Sequence, residues 1–305
     1  MITSRDRIVG CILGGAIGDA FGGPYEGQCP PIRIEPHTVL RVSDDTQLTL
    51  ATCQAIVDSG HLEPGRIATE FAVWFRQRRL RGLGASTLKA LQELAAGGHW
   101  APVGRKGEMA AGNGAATRIA PLAFLLEPCD HASRQTIRDI CRITHHHDEA
   151  YCGALAVLIA ISLAYSGAWE GGTGMLCEVA AHLPNSAVRD RLNQLSSDFN
   201  HASLADVGRH RGATGYVIES VPLALAAAER VGALGFAEVI EQVIMIGGDT
   251  DSIAAMAGQI CGTYLGHQGL PQDWLARITE LEEIMLTAAG FAEYVRKCAI
   301  QKRVQ

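Results

Sequence analysis

The stretch GCILGGAIGDAFGG, residues 10–23, places glycine at positions 10, 14, 18 and 22, every fourth residue. Residues four apart lie on one face of an α-helix, so the spacing predicts a helix with one stripe bare of side chains. Interior glycine costs roughly 1 kcal/mol against alanine, and a bare stripe offsets that cost by letting another backbone approach closely. A similar stripe stands near the other end: Gly258, Gly262 and Gly266, with Ala254 before them. Both are read as tight packing in a helical core. A dinucleotide-binding reading of GGAIGDAFGG fails, because no strand precedes it and the G-x-G-x-x-G spacing is missing.

The rest of the chain agrees with a helical core. Of 305 residues 48% are hydrophobic and 19% charged, enough for a large interior, and the net charge of −6 disfavours an electrostatic nucleic-acid or membrane-surface binder. The one basic run, RQRRLR within residues 75–82, reads as a solvated helix end. The longest apolar stretch, CGALAVLIAISLAY at 152–165, falls short of the roughly 20 residues a bilayer span needs and reads as a buried helix. No secretory cleavage pattern follows the N-terminus, and nine scattered cysteines without a C-x-x-C pair point to a reduced, cytoplasmic setting. Helical spacing predicts helices over 46–59, 66–80, 86–96, 150–166, 216–230 and 252–265. The stretch 32–43 is the best strand candidate and reads equally as an extended loop. Glycine- and proline-rich segments at 22–36, 97–114 and 167–174 are expected loops.

Two acidic clusters sit awkwardly in this apolar chain. VSDDTQLTL (42–50) sets Ser43, Asp44, Asp45 and Thr46 before a helix, and GGDTDSIAAMAG (247–258) sets Asp249, Asp251 and Ser252 before another. Helix capping explains one such side chain per helix. The surplus carboxylates suit a hard divalent cation, which takes about six oxygen ligands. Asp44, Asp45, Asp249 and Asp251 with the hydroxyls of Ser43 and Ser252 are candidate ligands for two ions, and the lack of cysteine or histidine in either cluster disfavours zinc.

At these residues the chain resembles the ADP-ribosylglycohydrolase family. The blocks are GGAIGDAFGGPYEG (14–27), SDDTQL (43–48), GNGAATRIAPLAF (112–124), THHHDEA (144–150), TGYVIESVPLALAA (214–227) and GGDTDSIAAMAG (247–258), in family order over nearly the whole chain. The resemblance implies an all-α single domain over 1–305, a compact orthogonal helical bundle with a central cleft holding two Mg2+ or Mn2+ ions. By the same resemblance Ser43, Asp44 and Asp45 match one ligand motif, and Asp249, Asp251 and Ser252 the other. Glu26 matches a glutamate near the metals. Gly112, Asn113, Gly114 and Ala115 match a loop whose backbone N–H groups are expected to cradle a diphosphate. His145 is expected to contact a ribose or phosphate, and Tyr216 to line the cleft. His146 and His147 have no counterpart role.

The implied activity is metal-dependent hydrolysis at the anomeric carbon of the distal ribose, releasing ADP-ribose from a modified protein side chain or a small conjugate. Asp44, Asp45 and Glu26 are all candidates for the group that takes a proton from the attacking water. ADP-ribosyl-arginine is the preferred linkage, with ADP-ribosyl-serine, O-acetyl-ADP-ribose and a non-catalytic ADP-ribose-binding relative as alternatives.

Overall fold

A computed structural model describes residues 2–35, 39–198 and 203–304. Its α-helices are α1 (Ser4–Gly22), α2 (Asp44–Ser59), α3 (Pro64–Arg76), α4 (Ala85–Ala95), α5 (Gly114–Thr117), α6 (His131–Arg142), α7 (Asp148–Ser166), α8 (Met175–His182), α9 (Ala187–Asp198), α10 (Leu204–Arg211), α11 (Val217–Ala228), α12 (Val231–Leu234), α13 (Phe236–Ile246), α14 (Thr250–Leu265), α15 (Gln272–Leu275) and α16 (Leu281–Val304). The one sheet among the described residues is a parallel pair of two-residue strands, Arg105–Lys106 and His145–His146. The chain is an all-α single domain. Of the strand candidate at 32–43, residues 36–38 lie outside the described residues. What is described there is extended chain with a single bridge from Leu40 to Ile278.

The two glycine stripes pack against each other. A Cβ placed on Gly14 would collide with the carbonyl of Gly258, one on Gly18 with that of Ala254, and one on Gly22 with that of Thr250; Gly10 meets Gly262 in the same way. Each step of four along α1 is a step of four backwards along α14, so the helices run antiparallel in a fixed register. This is the most extensive helix–helix contact in the molecule. On its other sides α14 is covered by α7, α11 and α13. The apolar stretch at 152–165 is the middle of α7 and is buried, as its composition requires. By length and composition two segments, Ser4–Tyr25 and Asp148–Ser166, would suffice to cross a membrane, the second because the helix is longer than the 14-residue apolar run. In the fold 89% and 72% of their apolar windows are buried by other helices.

The basic run follows its expected reading at Arg76 and Arg78, exposed at the end of α3, and departs from it at Arg79 and Arg81. Helix α3 stops at Arg76, and Arg79 and Arg81 then pair with Glu283 and Glu280 of α16, while Arg79 also lies 3.4 Å over the Trp74 ring. The loop is tied to the C-terminal helix rather than released to solvent. Its far end reaches the site, because the Arg81 carbonyl accepts the Asp44 N–H at 2.7 Å. All nine cysteines are free.

Candidate active site

The register of α1 against α14 decides where the acidic residues meet. Gly22, at the end of α1, lies against Thr250, at the start of α14, and the buried Thr250 hydroxyl donates to the Gly22 carbonyl at 2.8 Å. The chain leaving α1 then bonds to the chain entering α14: Gly27 N–H to the Gly248 carbonyl at 2.7 Å, and Gly248 N–H to Gln28 at 3.0 Å. Gly247 and Gly248 both adopt φ of 78°, and a side chain on either would strike the Gln28 or Ala213 carbonyl, so glycine is required at both. These contacts bring one oxygen each of Glu26, Asp249 and Asp251 within 4.8 Å of one another.

The second acidic cluster is attached through a residue that sequence reasoning passed over. Asp19, on α1 and fully buried, accepts the N–H of Ser43 at 3.0 Å, the N–H of Thr46 at 3.1 Å and the Thr46 hydroxyl at 2.5 Å. It caps α2 from another helix. The Ser43 hydroxyl adds a cap by accepting the Asp45 N–H at 3.2 Å. With these donors satisfied, the carboxylates of Asp44 and Asp45 are left over for another purpose. The signal was in the sequence: Asp19 is the sole charge in the apolar, glycine-striped part of α1 that follows Arg7, and a buried carboxylate requires a partner.

Glu26, Asp44, Asp45, Asp249, Asp251 and Ser252 line one cleft of about 600 Å³. Burial raises Asp44 and Asp45 well above the usual carboxylate range, and neighbouring aspartates raise them further. Asp251 is pushed up to about 9 by burial, then by Asp249, Asp19 and Glu26. Glu26 is raised by burial and by Asp249. Asp249 is raised by burial against the opposing hydrogen bonds of Asn113 and Ser252. Like charges this close cannot all ionise without a counter-charge. Part of it comes from the helix dipoles of α2, α4 and α14, whose first turns line the cleft with their positive ends. Among the described lining residues, Arg105 alone carries a permanent positive charge.

The facing wall is formed by Gly112, Asn113, Gly114 and His145. A Cβ at Gly112 or Gly114 would stand 3.1 Å from the His145 ring, so the glycines let the loop lie flat on the imidazole. The expected phosphate cradle needs a correction at Asn113. Its backbone N–H donates to the Gly215 carbonyl at 3.0 Å, and its side-chain amide donates to Ser220 at 3.1 Å and to Asp249 at 2.6 Å. These donors are spent within the protein, one of them on holding Asp249. Gly114 and Ala115 begin the four-residue α5, where N–H groups have no helical acceptor, and among the described residues they have no other backbone partner.

Three expected residues do not line this cleft. Ser43 is engaged as the α2 cap, and Ala115 is fully buried behind Gly114. Tyr216, half exposed, lines an adjoining groove with Glu108, Met109 and His147 that shares Gly112 and Gly215 with the cleft. Of the neighbouring histidines, His146 Nε2 bonds the Val103 carbonyl at 2.6 Å and His147 caps α7, both local structural tasks. Ser86, Thr87, Arg105 and Thr214 also line the cleft; they stand in a helix start, a two-residue strand and a loop, with no spacing that marks them.

Comparison with known proteins agrees with this geometry. The ADP-ribosyl-[dinitrogen reductase] glycohydrolase of Rhodospirillum rubrum is 26% identical, over 90% of this chain and 90% of the relative. The ADP-ribosylarginine hydrolase Tri1 of Pseudomonas putida is 26% identical over 93% of this chain and 77% of the relative, and ADP-ribosylhydrolase ARH3 of Danio rerio is 26% identical over 93% and 88%. A solved structure described as an ADP-ribosylglycohydrolase-related protein complex superposes with a TM-score of 0.75 at 26% identity, covering 96% of this chain and 99% of that one. The ADP-ribosylglycohydrolase family profile matches residues 1–300. The chain belongs to the ADP-ribosylglycohydrolase family of hydrolases.

Proposed function

We propose that this protein is a metal-dependent hydrolase that releases ADP-ribose from modified protein side chains, with ADP-ribosyl-arginine as the preferred linkage. The observation that carries the reading is one cleft with an acidic floor, built from Glu26 and the starts of α2 and α14, facing a glycine-and-histidine wall with open backbone N–H groups. The arginine preference rests on the named relatives, two of which are bacterial enzymes called an ADP-ribosylarginine hydrolase and an ADP-ribosyl-[dinitrogen reductase] glycohydrolase.

The donor set fits a hard divalent cation. Glu26, Asp249 and Asp251 present oxygens close enough to share an ion, Asp44 and Asp45 couple electrostatically to the same cluster, and the hydroxyl of Ser252 stands beside them. Among the described residues no bound cationic side chain neutralises the cluster, which is the charge imbalance that Mg2+ or Mn2+ corrects. Asp44, Asp45, Asp249, Asp251 and Ser252 would hold two such ions. When bound they supply charge neutralisation, orientation of the distal ribose and an acidified water.

The chain's own residues do the rest. The N–H group of Gly114 and the His145 ring bind the ADP-ribosyl group at the facing wall. Glu26 is the least enclosed of the cluster's carboxylates and stands at the mouth of the cleft, so it takes the proton from the attacking water on its carboxylate oxygen. The remaining carboxylates stabilise positive charge as it develops at the anomeric carbon. Asn113 and Asp19 hold Asp249 and the start of α2 in place. The nine free cysteines support a reducing, cytoplasmic compartment.

The test offers ADP-ribosyl-arginine protein, ADP-ribosyl-serine peptide and O-acetyl-ADP-ribose with Mg2+, Mn2+ or chelator, and follows free ADP-ribose by mass spectrometry. Release from the arginine substrate, abolished by chelator, is the expected result. Release from another substrate alone would move the specificity, and release from none would leave a binding protein in place of an enzyme.

A further inference from the structure

A chain of buried hydrogen bonds ends at the cleft wall. Arg118, just after α5, is 1% exposed; its Nη2 donates to the Thr144 hydroxyl at 2.8 Å and to the Ile140 carbonyl at 3.2 Å, and its guanidinium lies 5.0 Å over the Phe71 ring. Its Nε and Nη1 find no partner among the described residues. A buried guanidinium so thinly paired is costly. Thr144, also fully buried, has its Oγ1 2.8 Å from Nδ1 of His145.

The direction of these bonds follows from their chemistry. A guanidinium only donates, so the Thr144 oxygen accepts from Arg118. The Thr144 O–H then needs an acceptor of its own, because a buried hydroxyl proton is rarely left unpaired. Among the described residues the acceptor within reach is His145 Nδ1. Nδ1 therefore carries a lone pair, and the ring proton sits on Nε2. Burial, then the charge of Arg118, pushes His145 down to about 3, so the ring is neutral at neutral pH. The Nε2 edge lies against Gly112 and Gly114, where both glycines line the cleft.

We propose that Arg118 and Thr144 are positioning residues that lock His145 in the Nε2–H tautomer, giving the cleft wall a fixed donor for an oxygen acceptor of the ADP-ribosyl group. The ligand half of this proposal rests on the function proposed above; the tautomer half does not. A purely structural role for Arg118, tying α5 to the end of α6 through Ile140, would leave the His145 proton unspecified.

The experiment reads the tautomer directly. Ring 15N shifts of His145 are measured in the full chain with Mg2+, the signals being assigned by their loss in His145→Gln. The wild type is expected to show a protonated Nε2 and a bare Nδ1, unchanged in Thr144→Ser and lost as a fixed preference in Thr144→Val. Binding of ADP-ribose by calorimetry is expected to weaken about ten-fold in Thr144→Val and to stay within about two-fold of wild type in Thr144→Ser. A wild-type ring protonated on Nδ1 overturns the proposal and needs no variant that folds. So does a Thr144→Val protein that keeps both tautomer and affinity. A wild type with the expected tautomer that binds no ADP-ribose overturns the ligand half together with the functional reading, and leaves the positioning of the proton established.

Discussion

The contact between α1 and α14 is open to a test in which one substitution is made at two glycines with opposite expected signs. A Cβ at Gly18 would stand 2.0 Å from the Ala254 carbonyl oxygen, where ordinary contact begins at 3.4 Å, a shortfall of 3.4 − 2.0 = 1.4 Å. Backbone is on both sides, so no side chain can yield and the helices must separate by about that much. A gap of half to one ångström already forfeits a quarter to a half of each dispersion contact; with 40 to 60 atom pairs at about 0.15 kcal/mol each, losing half costs roughly 3 to 4.5 kcal/mol. Alanine returns about 1 kcal/mol of helix propensity, which leaves Gly18→Ala destabilised by roughly 2 to 3.5 kcal/mol, at the upper end of the usual range for overpacking. Gly290, on α16, has nothing within 4 Å of the same added atom. There the propensity gain stands alone, and Gly290→Ala is expected to stabilise by about 0.5 to 1 kcal/mol. Urea unfolding followed by far-UV circular dichroism should move the midpoint down for Gly18→Ala and up for Gly290→Ala at an unchanged slope. A Gly18→Ala midpoint at or above wild type would refute the close-approach argument.

Other expectations concern the site. Asp249→Ala and Asp45→Ala should release no detectable ADP-ribose while keeping the helical spectrum, and the metal-free melting temperature should hold or rise because a crowded carboxylate has gone; normal turnover in either variant would remove the metal-site reading. Glu26→Gln should retain metal binding by calorimetry and lose about a hundred- to ten-thousand-fold in kcat, the usual worth of a general base. Asp251 has its folded pKa raised from 3.8 to about 9, so it holds a proton when folded that the unfolded chain has released. Its contribution is complete below 3.8 and is lost as pH rises through about 9; metal-free melting temperatures should therefore fall across that window, and added Mn2+ should flatten the decline. Gly112→Ala brings a methyl within 3.1 Å of His145 Nε2; ADP-ribose affinity should drop while chelator-sensitive metal binding is unchanged, and unaltered affinity would dissociate this wall from the ligand.

Much of the molecule was legible in the chain because its signals are local. The helices at 44–59, 85–95, 148–166 and 250–265 match the expected spans to within about two residues, since apolar spacing and a closing glycine are properties of neighbouring residues. The glycines at 247 and 248 were equally readable, because a tight turn between two helices demands them. The two acidic motifs stood out because capping uses one oxygen and each motif offers more. Where expectation and structure part, a distant partner is responsible. RQRRLR looks like a free helix end until Glu280 and Glu283, some 200 positions later, arrive beside it. Asn113 looks like a phosphate ligand until Gly215, Ser220 and Asp249 take up its donors.

The sequence by itself determined the all-helical class, the two bare stripes and the residue types of the site, because periodicity and local chemistry carry them. It left open whether the stripes meet, and in which register. That was decided by tertiary structure alone, where the antiparallel fit of Gly10, Gly14, Gly18 and Gly22 on Gly262, Gly258, Ala254 and Thr250 sets the end of α1 against the start of α14. A backbone groove accepts a second backbone only in steps of one helical turn. That step places Glu26 beside Asp249, brings Asp19 under α2, and gathers carboxylates more than 200 residues apart into one cleft.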